Sequence, residues 1–339
     1  MLVLQRLVCL LLALLAPLSL SCNRRGAAGQ RQVVLYCSVD QAIAEPIIAE
    51  FEKQTGIRVL ARFDTEASKT VGLVQRLRAE AKDPVADVLW SNEVFYTIRL
   101  AREGLFQAHS SAETRSWPKN LADPGQRWHG FALRARVIAY DTRRVPAKEA
   151  PKSLEDLLDP KWKDRIVMAS PEFGTTGGDV ASWFAHYGRE KARTILRGLK
   201  KNGVRLVDGN STAVRVIATG QADVALTDTD DVYAAQRNGW PVAMHHLDQG
   251  GAGVLAIPNT VGVIQDAPHL QEARKLADFL LSRRVEDLLA RSDSHNTPSR
   301  ESVAKQFPQY RIPKRLNIDY ARIADQLPTA ISAAREILR

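Results

Sequence analysis

The sequence predicts an α/β protein built as two lobes, and three observations support that fold class. Short apolar segments alternate with amphipathic helical segments along most of the chain, which is typical of parallel strands covered by helices. Polar and acidic residues repeatedly follow the predicted strands, as at the ligand-binding edge of an open sheet. At 339 residues the chain is also too long for one small core, so two lobes are expected.

The first part of the chain is predicted to contain three strand–helix units and one longer strand. The strands are expected at residues 33–38, 57–62, 86–90 and 132–140. One helix ends at Thr55-Gly56, and two more span residues 68–81 and 93–103. Apolar residues recur at helical spacing within these helical segments, which favours helices with one buried face.

The second part of the chain continues the same alternation, and no internal repeat or flexible linker interrupts it. Further strands are predicted at residues 165–169, 205–207 and 224–227, with an extended segment at 253–258. Helices are predicted at residues 151–158, 179–187, 190–202, 210–219, 270–282, 285–292 and within 313–339. The lobes are therefore expected to be interleaved along the chain. Trp90, Trp162, Trp183 and Trp240 stand beside apolar runs and are predicted to be core residues.

Residues 1–21 have the features of an export signal. Arg6 supplies the positive flank, residues 7–15 the apolar run and residues 19–21 a small-residue exit. Cys22 stands where a bacterial lipoprotein carries its acylated first residue, so we predict lipidation of Cys22, with simple cleavage or a fortuitous cysteine as the alternatives. The expected location is periplasmic or otherwise extracytoplasmic, with membrane contact only through this anchor.

The chain is basic, with a formal net charge of +9 and an isoelectric point near 9.6. A basic protein can bind nucleic acid, an anionic membrane surface or an anionic ligand. The Lys and Arg residues are spread out, however, and no nucleic-acid-binding signature with interleaved aromatic residues is present. We interpret the charge as a solvated basic surface and expect no nucleic-acid partner.

The sharpest candidate site consists of Asp228, Asp230 and Asp231, which directly follow an apolar strand. Two like charges about 4 Å apart repel by roughly 1 kcal/mol in water and by several times that near a protein surface, unless a cation or basic group offsets them. Oxygen ligands suit Mg²⁺, Ca²⁺, Mn²⁺ or ferric iron. Helix N-capping explains one such aspartate readily and three less easily. We therefore predict that this cluster contacts a metal ion.

Four more groups follow predicted strands or begin predicted helices. Asp40 and Glu93 are predicted metal ligands, with stabilisation by a helix dipole as the alternative. The turn Gly174, Thr175 and Thr176 offers N–H groups and hydroxyls to an anion, and Asn210 with Ser211 offers a weaker set. Ordinary helix capping is the alternative for both turns.

Five segments resemble the ferric-ion-binding branch of the extracellular solute-binding proteins of bacterial ABC importers. They are FEKQTGIRV (51–59), ADVLWSNE (86–93), RVIAYDTRRV (136–145), PKWKDRI (160–166) and GNSTAVRVIATGQADVALTDTDD (209–231). The resemblance implies a type II-like periplasmic-binding-protein fold with a hinge, in which strands near 132–140 and 253–258 cross between the lobes. The implied limits are 32–131 with 258–300 for lobe 1, 132–257 for lobe 2 and 301–339 for a C-terminal helical segment.

The resemblance also implies roles for the candidate residues. The acidic residue that matches Glu93 coordinates iron in that family, and the turn near Asp40 often carries a His or Arg that contacts the ligand. The Gly174–Thr176 turn and Asn210 match the region that holds a synergistic anion such as phosphate or carbonate.

The chain departs from the family pattern at its acidic cluster. Typical members carry two adjacent tyrosines where this sequence has Asp230 and Asp231. Tyr233 comes two residues late, and helical spacing is expected to turn it away from the site. The ligand is therefore less well defined by the resemblance than the fold.

We expect a monomeric, non-enzymatic substrate-binding component that captures a metal ion by lobe closure and delivers it to an ABC permease in the inner membrane. Iron(III), with or without a synergistic anion, is the leading candidate, and the ion is cargo, not a catalytic cofactor. One alternative is a binding protein for an organic cation or for a phosphonate- or phosphate-type ligand. An alternative of another class is a metal-dependent phosphoryl hydrolase, although no Ser–His or Cys–His arrangement is evident.

Overall fold

The computed structural model describes residues 31–64, 70–115 and 117–339. The described strands are Gln32–Cys37 (β1), Arg58–Phe63 (β2), Val88–Ser91 (β3), His129–Asp141 (β4), Ile166–Ala169 (β5), Arg205–Val207 (β6), Val224–Asp228 (β7), Val242–His246 (β8) and Ala256–Val263 (β9). The described helices are Gln41–Thr55 (α1), Val71–Ala79 (α2), Phe95–Arg102 (α3), Gly174–Tyr187 (α4), Arg189–Lys201 (α5), Asn210–Ala218 (α6), Thr229–Arg237 (α7), Leu270–Leu280 (α8), Arg283–Arg291 (α9), Glu301–Ala304 (α10) and Tyr320–Leu338 (α11). The predicted signal peptide and Cys22 lie outside the described residues.

The strands form a curled sheet in the order β2-β1-β3-β9-β4-β7-β5-β6, with β8 also paired to β4. Strand β4 belongs to both halves of this sheet. Its first part, residues 129–135, pairs with β9, whereas residues 136–141 pair with β7 and β8. One continuous strand therefore passes from one half to the other, and the predicted two-lobed α/β fold is confirmed.

The strands of the two halves of the sheet are interleaved along the chain. Strands β1, β2, β3 and β9 form one half, and β5, β6, β7 and β8 lie in the other. Within each half, the strands that carry the βα units pair in parallel, as β1 does with β2 and β5 with β7. All thirteen residues of β4 are buried, because helices and neighbouring strands cover it throughout. The residue limits of the lobes given above stay a prediction.

Helix α1 shows how local sequence fixes the entry to the site. Its buried residues recur at helical spacing, and they are Ala44, Ile47, Ile48 and Phe51. The helix ends at Gly56, whose φ of 65° is left-handed and whose N–H donates to the Glu52 carbonyl at 2.9 Å. The chain then turns directly into β2, and this geometry leaves Asp40 at the N-terminal end of α1.

Several element limits differ from the predictions. The helix expected at 151–158 is only a 3-10 turn at Asp156–Leu158, although Ser153 Oγ accepts the Asp156 N–H at 3.1 Å as a cap does. Helix α4 begins at Gly174, five residues before its predicted start, so the turn assigned to an anion is its first turn. Strand β8 was not predicted, and the tail helix begins only at Tyr320, where the Asp319 carboxylate accepts the Ala321 N–H. Among the described residues, the helices are each too short or too polar to cross a membrane.

Candidate functional site

A cavity of about 320 Å³ lies where the carboxyl ends of β1, β3, β5, β6 and β7 converge. Nine of the ten metal- or anion-binding residues predicted from the sequence line it, and the exception is Glu93. The lining residues among them are Asp40, Gly174, Thr175, Thr176, Asn210, Ser211, Asp228, Asp230 and Asp231. Segments far apart in the chain therefore meet at one rim, as open α/β sheets lead one to expect.

The cavity lining is acidic although the protein is basic. Among the described residues, six carboxylates line it against two guanidinium groups, a formal excess of four negative charges. The acidic residues are Asp40, Asp208, Asp228, Asp230, Asp231 and Asp293, and the basic ones are Arg134 and Arg215. Because low-dielectric walls strengthen the local field, the cavity attracts cations within a protein of net charge +9.

Three of these carboxylates form a compact cluster. One oxygen each from Asp228, Asp230 and Asp231 lie within 4.8 Å of one another. Asp228 ends β7 with extended backbone, and the next two aspartates stand in the first turn of α7, where the helix dipole favours negative charge. Asp231 is further oriented by Thr227, whose hydroxyl donates to it at 3.3 Å. Carboxylates at such spacing can hold a hard cation.

Two buried arginines on β4 face the cluster. Arg134 and Arg136 alternate along the strand and so project to the same side. Arg136 Nη1 lies 2.8 Å from Asp228 Oδ1, and its Nε lies 3.0 Å from Asp179 Oδ2. Arg134 lines the cavity itself, 3.5 Å from Asp228 and 3.6 Å from Asp230. Its guanidinium also donates to the Asn92 carbonyl, while its Nε makes no hydrogen bond with the described residues.

The arginines control the charge state of Asp228. Burial by itself acts to raise the pKa of this carboxyl, but the positive charges of Arg136 and Arg134 outweigh burial and hold the pKa below its usual range. Burial likewise acts to lower the pKa of Arg136, and Asp228 with Asp179 reverses that effect, so the pKa of Arg136 is raised. Asp228 is therefore an ionised carboxylate inside the protein.

The residues predicted to bind an anion surround this carboxylate. Thr175 Oγ1 donates to Asp228 Oδ2 at 2.5 Å, and Asn210 Nδ2 donates to the same oxygen at 2.9 Å. Thr176 Oγ1 donates to Asn210 Oδ1 at 3.1 Å and so orients that amide. In the structure these residues, at the starts of α4 and α6, hold a carboxylate of the chain itself, and binding of a free anion there stays a prediction.

Glu93 is placed differently from the prediction. Its side chain is fully buried and absent from the cavity lining. Its oxygens accept the backbone N–H groups of Phe95 at 2.7 Å and of Tyr96 at 3.1 Å, at the start of α3. Burial raises its pKa to about 7, against the lowering effect of those N–H groups. The correction is that Glu93 caps a helix from inside the protein, because its carboxylate folds back onto α3 and away from the cavity.

Tyr233 lies outside the cavity lining, as its helical position predicts. Its ring packs edge-on against His295 and Tyr310, with centroid distances of 5.4 Å and 5.2 Å. Tyr233 therefore does not take the role of the two tyrosines that typical family members carry at the positions of Asp230 and Asp231.

Sequence reasoning missed three functional positions. Arg134 and Arg136 carried a usable signal, because two charges on one face of an apolar strand need buried partners. Trp240 was predicted to be core, yet it is 36% exposed and lines the cavity, whereas Trp90, Trp162 and Trp183 are buried as predicted.

Comparison with known proteins places the chain in a family. Residues 83–323 match the family described as bacterial extracellular solute-binding protein. Iron uptake protein A1 of Synechocystis sp. is 29% identical over 274 residues, which covers 78% of this chain and 75% of that protein. The putative 2-aminoethylphosphonate-binding periplasmic protein of Salmonella typhimurium is 28% identical over 269 residues, covering 77% and 75% respectively.

A solved structure agrees with these relatives. The crystal structure of iron-bound HitA from Pseudomonas aeruginosa superposes with a TM-score of 0.80 at 26% identity, and the match covers 91% of this chain and 99% of that one. It shares the two-lobed fold described above. Because the family match spans more than half of the chain, this protein belongs to the bacterial extracellular solute-binding proteins.

Proposed function

We propose that this protein captures iron(III) in its acidic cavity and delivers it to the membrane permease of an ABC importer. The observation that carries the proposal is the excess of four negative charges on the cavity lining of a protein whose net charge is +9. Two of the relatives described above are named for iron uptake or carry bound iron. The iron is cargo, and no catalytic role is assigned to it.

The proposed ligands are the carboxylates of Asp228, Asp230 and Asp231, with Asp40 facing them from the start of α1. Support comes from the 4.8 Å spacing of the cluster and from the position of Asp40 on the same cavity. Carboxylate oxygens are hard ligands that suit a highly charged cation. Glu93 is left out of this set, because its fully buried side chain does not line the cavity.

The proposed mechanism is closure of the two lobes over the ion. Strand β4 and the segment between β8 and β9 connect the halves of the sheet, and small changes there can swing one half against the other. Closure would bring Asp40 and the aspartate cluster onto the cargo together, and the closed form would dock on the permease. We propose a periplasmic monomer, and lipidation at Cys22 stays a prediction.

Calorimetric titration of the metal-free protein with ferric nitrilotriacetate tests the proposal. One tight site is expected, and the double variant Asp230→Asn with Asp231→Asn should weaken it. The loss of affinity should exceed the about 10–100-fold loss that follows from removing a hydrogen-bonding partner of a metal ligand. Asp325→Asn is the matched control, because that exposed aspartate pairs with Arg102 on the surface, away from the cavity lining. Equal affinity in the double variant and the control would refute the assignment.

A phosphonate ligand is the second candidate, and three observations favour it. One relative is named for 2-aminoethylphosphonate, and a hydroxyl and an amide donor meet at the starts of α4 and α6. The cavity of about 320 Å³ also exceeds the space of one ion, since a single water needs only about 10–15 Å³ by such a measure. Titration with 2-aminoethylphosphonate in the absence of metal separates the candidates. Native mass spectrometry of the protein as purified identifies any ligand already bound.

A further inference from the structure

We infer that Asp228 is a built-in anion, whose carboxylate occupies the donors that would otherwise hold a free phosphate or carbonate. The protein therefore captures its metal without a co-bound anion. This inference rests on the proposed function and names a residue that determines the composition of the bound complex.

The geometry around Asp228 is that of an anion site. Its two oxygens accept from three side chains: Arg136 at 2.8 Å, Thr175 at 2.5 Å and Asn210 at 2.9 Å. These donors come from three separate elements, β4, α4 and α6. Two helix starts and a cross-strand arginine are thus assembled around one carboxylate, as they would be around a bound oxyanion.

Asp228 is held in this place by its burial and by the pairing of its backbone. It is only 2% exposed, and it stands at the junction of β7 and α7, where the backbone is held by pairing with β4. A free oxyanion at the same donors would have to approach this ionised carboxylate within contact distance. The resulting repulsion between like charges at a buried site opposes binding of the free anion.

The balance of charge in the cluster also favours a site without a free anion. Asp228, Asp230 and Asp231 supply three negative charges against the adjacent Arg134, and Arg136 is shared with Asp179. An acidic excess therefore already faces the cavity. The chain itself supplies the negative charge that a free anion would otherwise bring to a bound cation.

The experiment determines which anions the protein retains together with the iron. The protein is loaded from ferric citrate, desalted into buffer free of phosphate and carbonate, and analysed for iron, phosphorus and citrate per chain. We expect retained iron without phosphorus or citrate, and no gain in affinity when phosphate is added. Iron retained only with phosphate, carbonate or citrate would overturn the inference and leave the proposed function standing. Failure to bind iron under every anion condition would instead refute the proposed function.

The variant Asp228→Asn tests the residue directly. The amide keeps the shape of the side chain but frees Arg136 to bind an anion, so iron affinity should fall by about 10–100-fold in anion-free buffer and recover when phosphate is added. Asp231→Asn is the matched control, because this cluster residue accepts from Thr227 at 3.3 Å and its substitution leaves Asp228 on its own donors, so its loss of affinity should not be rescued. Rescue of both variants, or of neither, would contradict the inference.

A measurement without metal separates anion binding from a folding defect. Phosphate should raise the Tm of Asp228→Asn and leave that of the unaltered protein unchanged, because only in the variant does no carboxylate occupy the donors of Arg136, Thr175 and Asn210. An equal rise in both proteins would overturn the inference. Where the variant fails to fold, the anion content of the iron-loaded unaltered protein decides the question alone.

Discussion

Arg136 and Asp228 are direct cross-strand partners in the pairing of β4 with β7, and their side chains form a buried ion pair. Arg136 has no exposed surface, and its Nε is bound at the same time by Asp179 of α4. One guanidinium thus ties the strand shared by both halves of the sheet to α4 and to the end of β7. The orientation of the acidic cluster depends on this link.

Arg136→Met should strongly destabilise the fold. The substitution preserves much of the side-chain volume but leaves Asp179 and Asp228 buried without their shared partner, and breaking a buried pair in this way costs about 3–5 kcal/mol. The free energy of unfolding is measured by urea denaturation at neutral pH.

Arg102→Met provides the control for that measurement. Arg102 is 45% exposed and pairs at 2.5 Å with Asp325, which is 57% exposed, so its loss should cost no more than about 1 kcal/mol. Similar small losses in the two variants would show that the buried arginine contributes no more than a surface pair.

Glu93→Gln should change stability in a pH-dependent way. Burial raises the pKa of Glu93 from 4.5 to about 7, so its stabilising contribution is complete below about pH 4.5 and is lost as pH rises through about 7. Glutamine does not titrate. The stability of the unaltered protein relative to the variant should therefore fall by roughly 3 kcal/mol between about pH 4.5 and pH 8, because a tenfold change in a proton-binding constant corresponds to about 1.4 kcal/mol.

Urea denaturation of both proteins at the two pH values gives this difference directly. Glu45→Gln removes a carboxylate from the exposed side of α1 and controls for the general effect of losing one negative charge. A difference between Glu93→Gln and the unaltered protein that does not vary with pH would show that the buried carboxyl does not titrate in this range. Unchanged iron affinity in Glu93→Gln is also expected, because Glu93 does not line the cavity.

The position of Glu93 shows why a site is harder to predict than a fold. A carboxylate just after a strand and before a helix has one sequence signature whether it points outward to a ligand or backward to cap the helix. The choice depends on the backbone at Val94 and on the N–H groups of Phe95 and Tyr96, which only the folded geometry defines. The alternation of strands and helices, by contrast, depends on local apolar spacing and was predicted for most of the chain.

The buried arginines illustrate the same limit from the opposite direction. Arg134 and Arg136 are visible in the sequence as charges within an apolar strand, so partners could be expected. Their identity could not, because it depends on the register between β4 and β7, which are separated by almost a hundred residues. Long-range register also explains why Asp228 meets the donors of α4.

Gly178→Ala should destabilise the protein through a steric clash. A Cβ at Gly178 would lie 2.0 Å from Cε2 of Phe95, where α4 approaches α3. Phe95 is fully buried and its ring packs edge-on against Tyr320, so the core surrounds it. Overpacking of this kind costs about 1–3 kcal/mol or more.

Gly250→Ala is the control for the clash, because no atom lies within 4 Å of the Cβ that would be added there. Thermal unfolding should show a clearly lower Tm for Gly178→Ala and little change for Gly250→Ala. Equal Tm values would mean that α3 and α4 separate readily to make room.

Trp240 should report on occupancy of the cavity. It lines the cavity and is 36% exposed, whereas Trp90, Trp162 and Trp183 are at most 2% exposed and lie outside the lining. Ga³⁺ has the charge of Fe³⁺ and no unpaired electrons, so a change in tryptophan emission on its addition reflects a change of surroundings and not paramagnetic quenching. Trp240→Phe should abolish most of that change while altering affinity by no more than about twofold, because partly exposed positions tolerate such substitutions within about 0.5 kcal/mol. Trp162→Phe should keep the full response. If the response survives in Trp240→Phe, the ligand binds or closes the lobes at a place remote from this side chain.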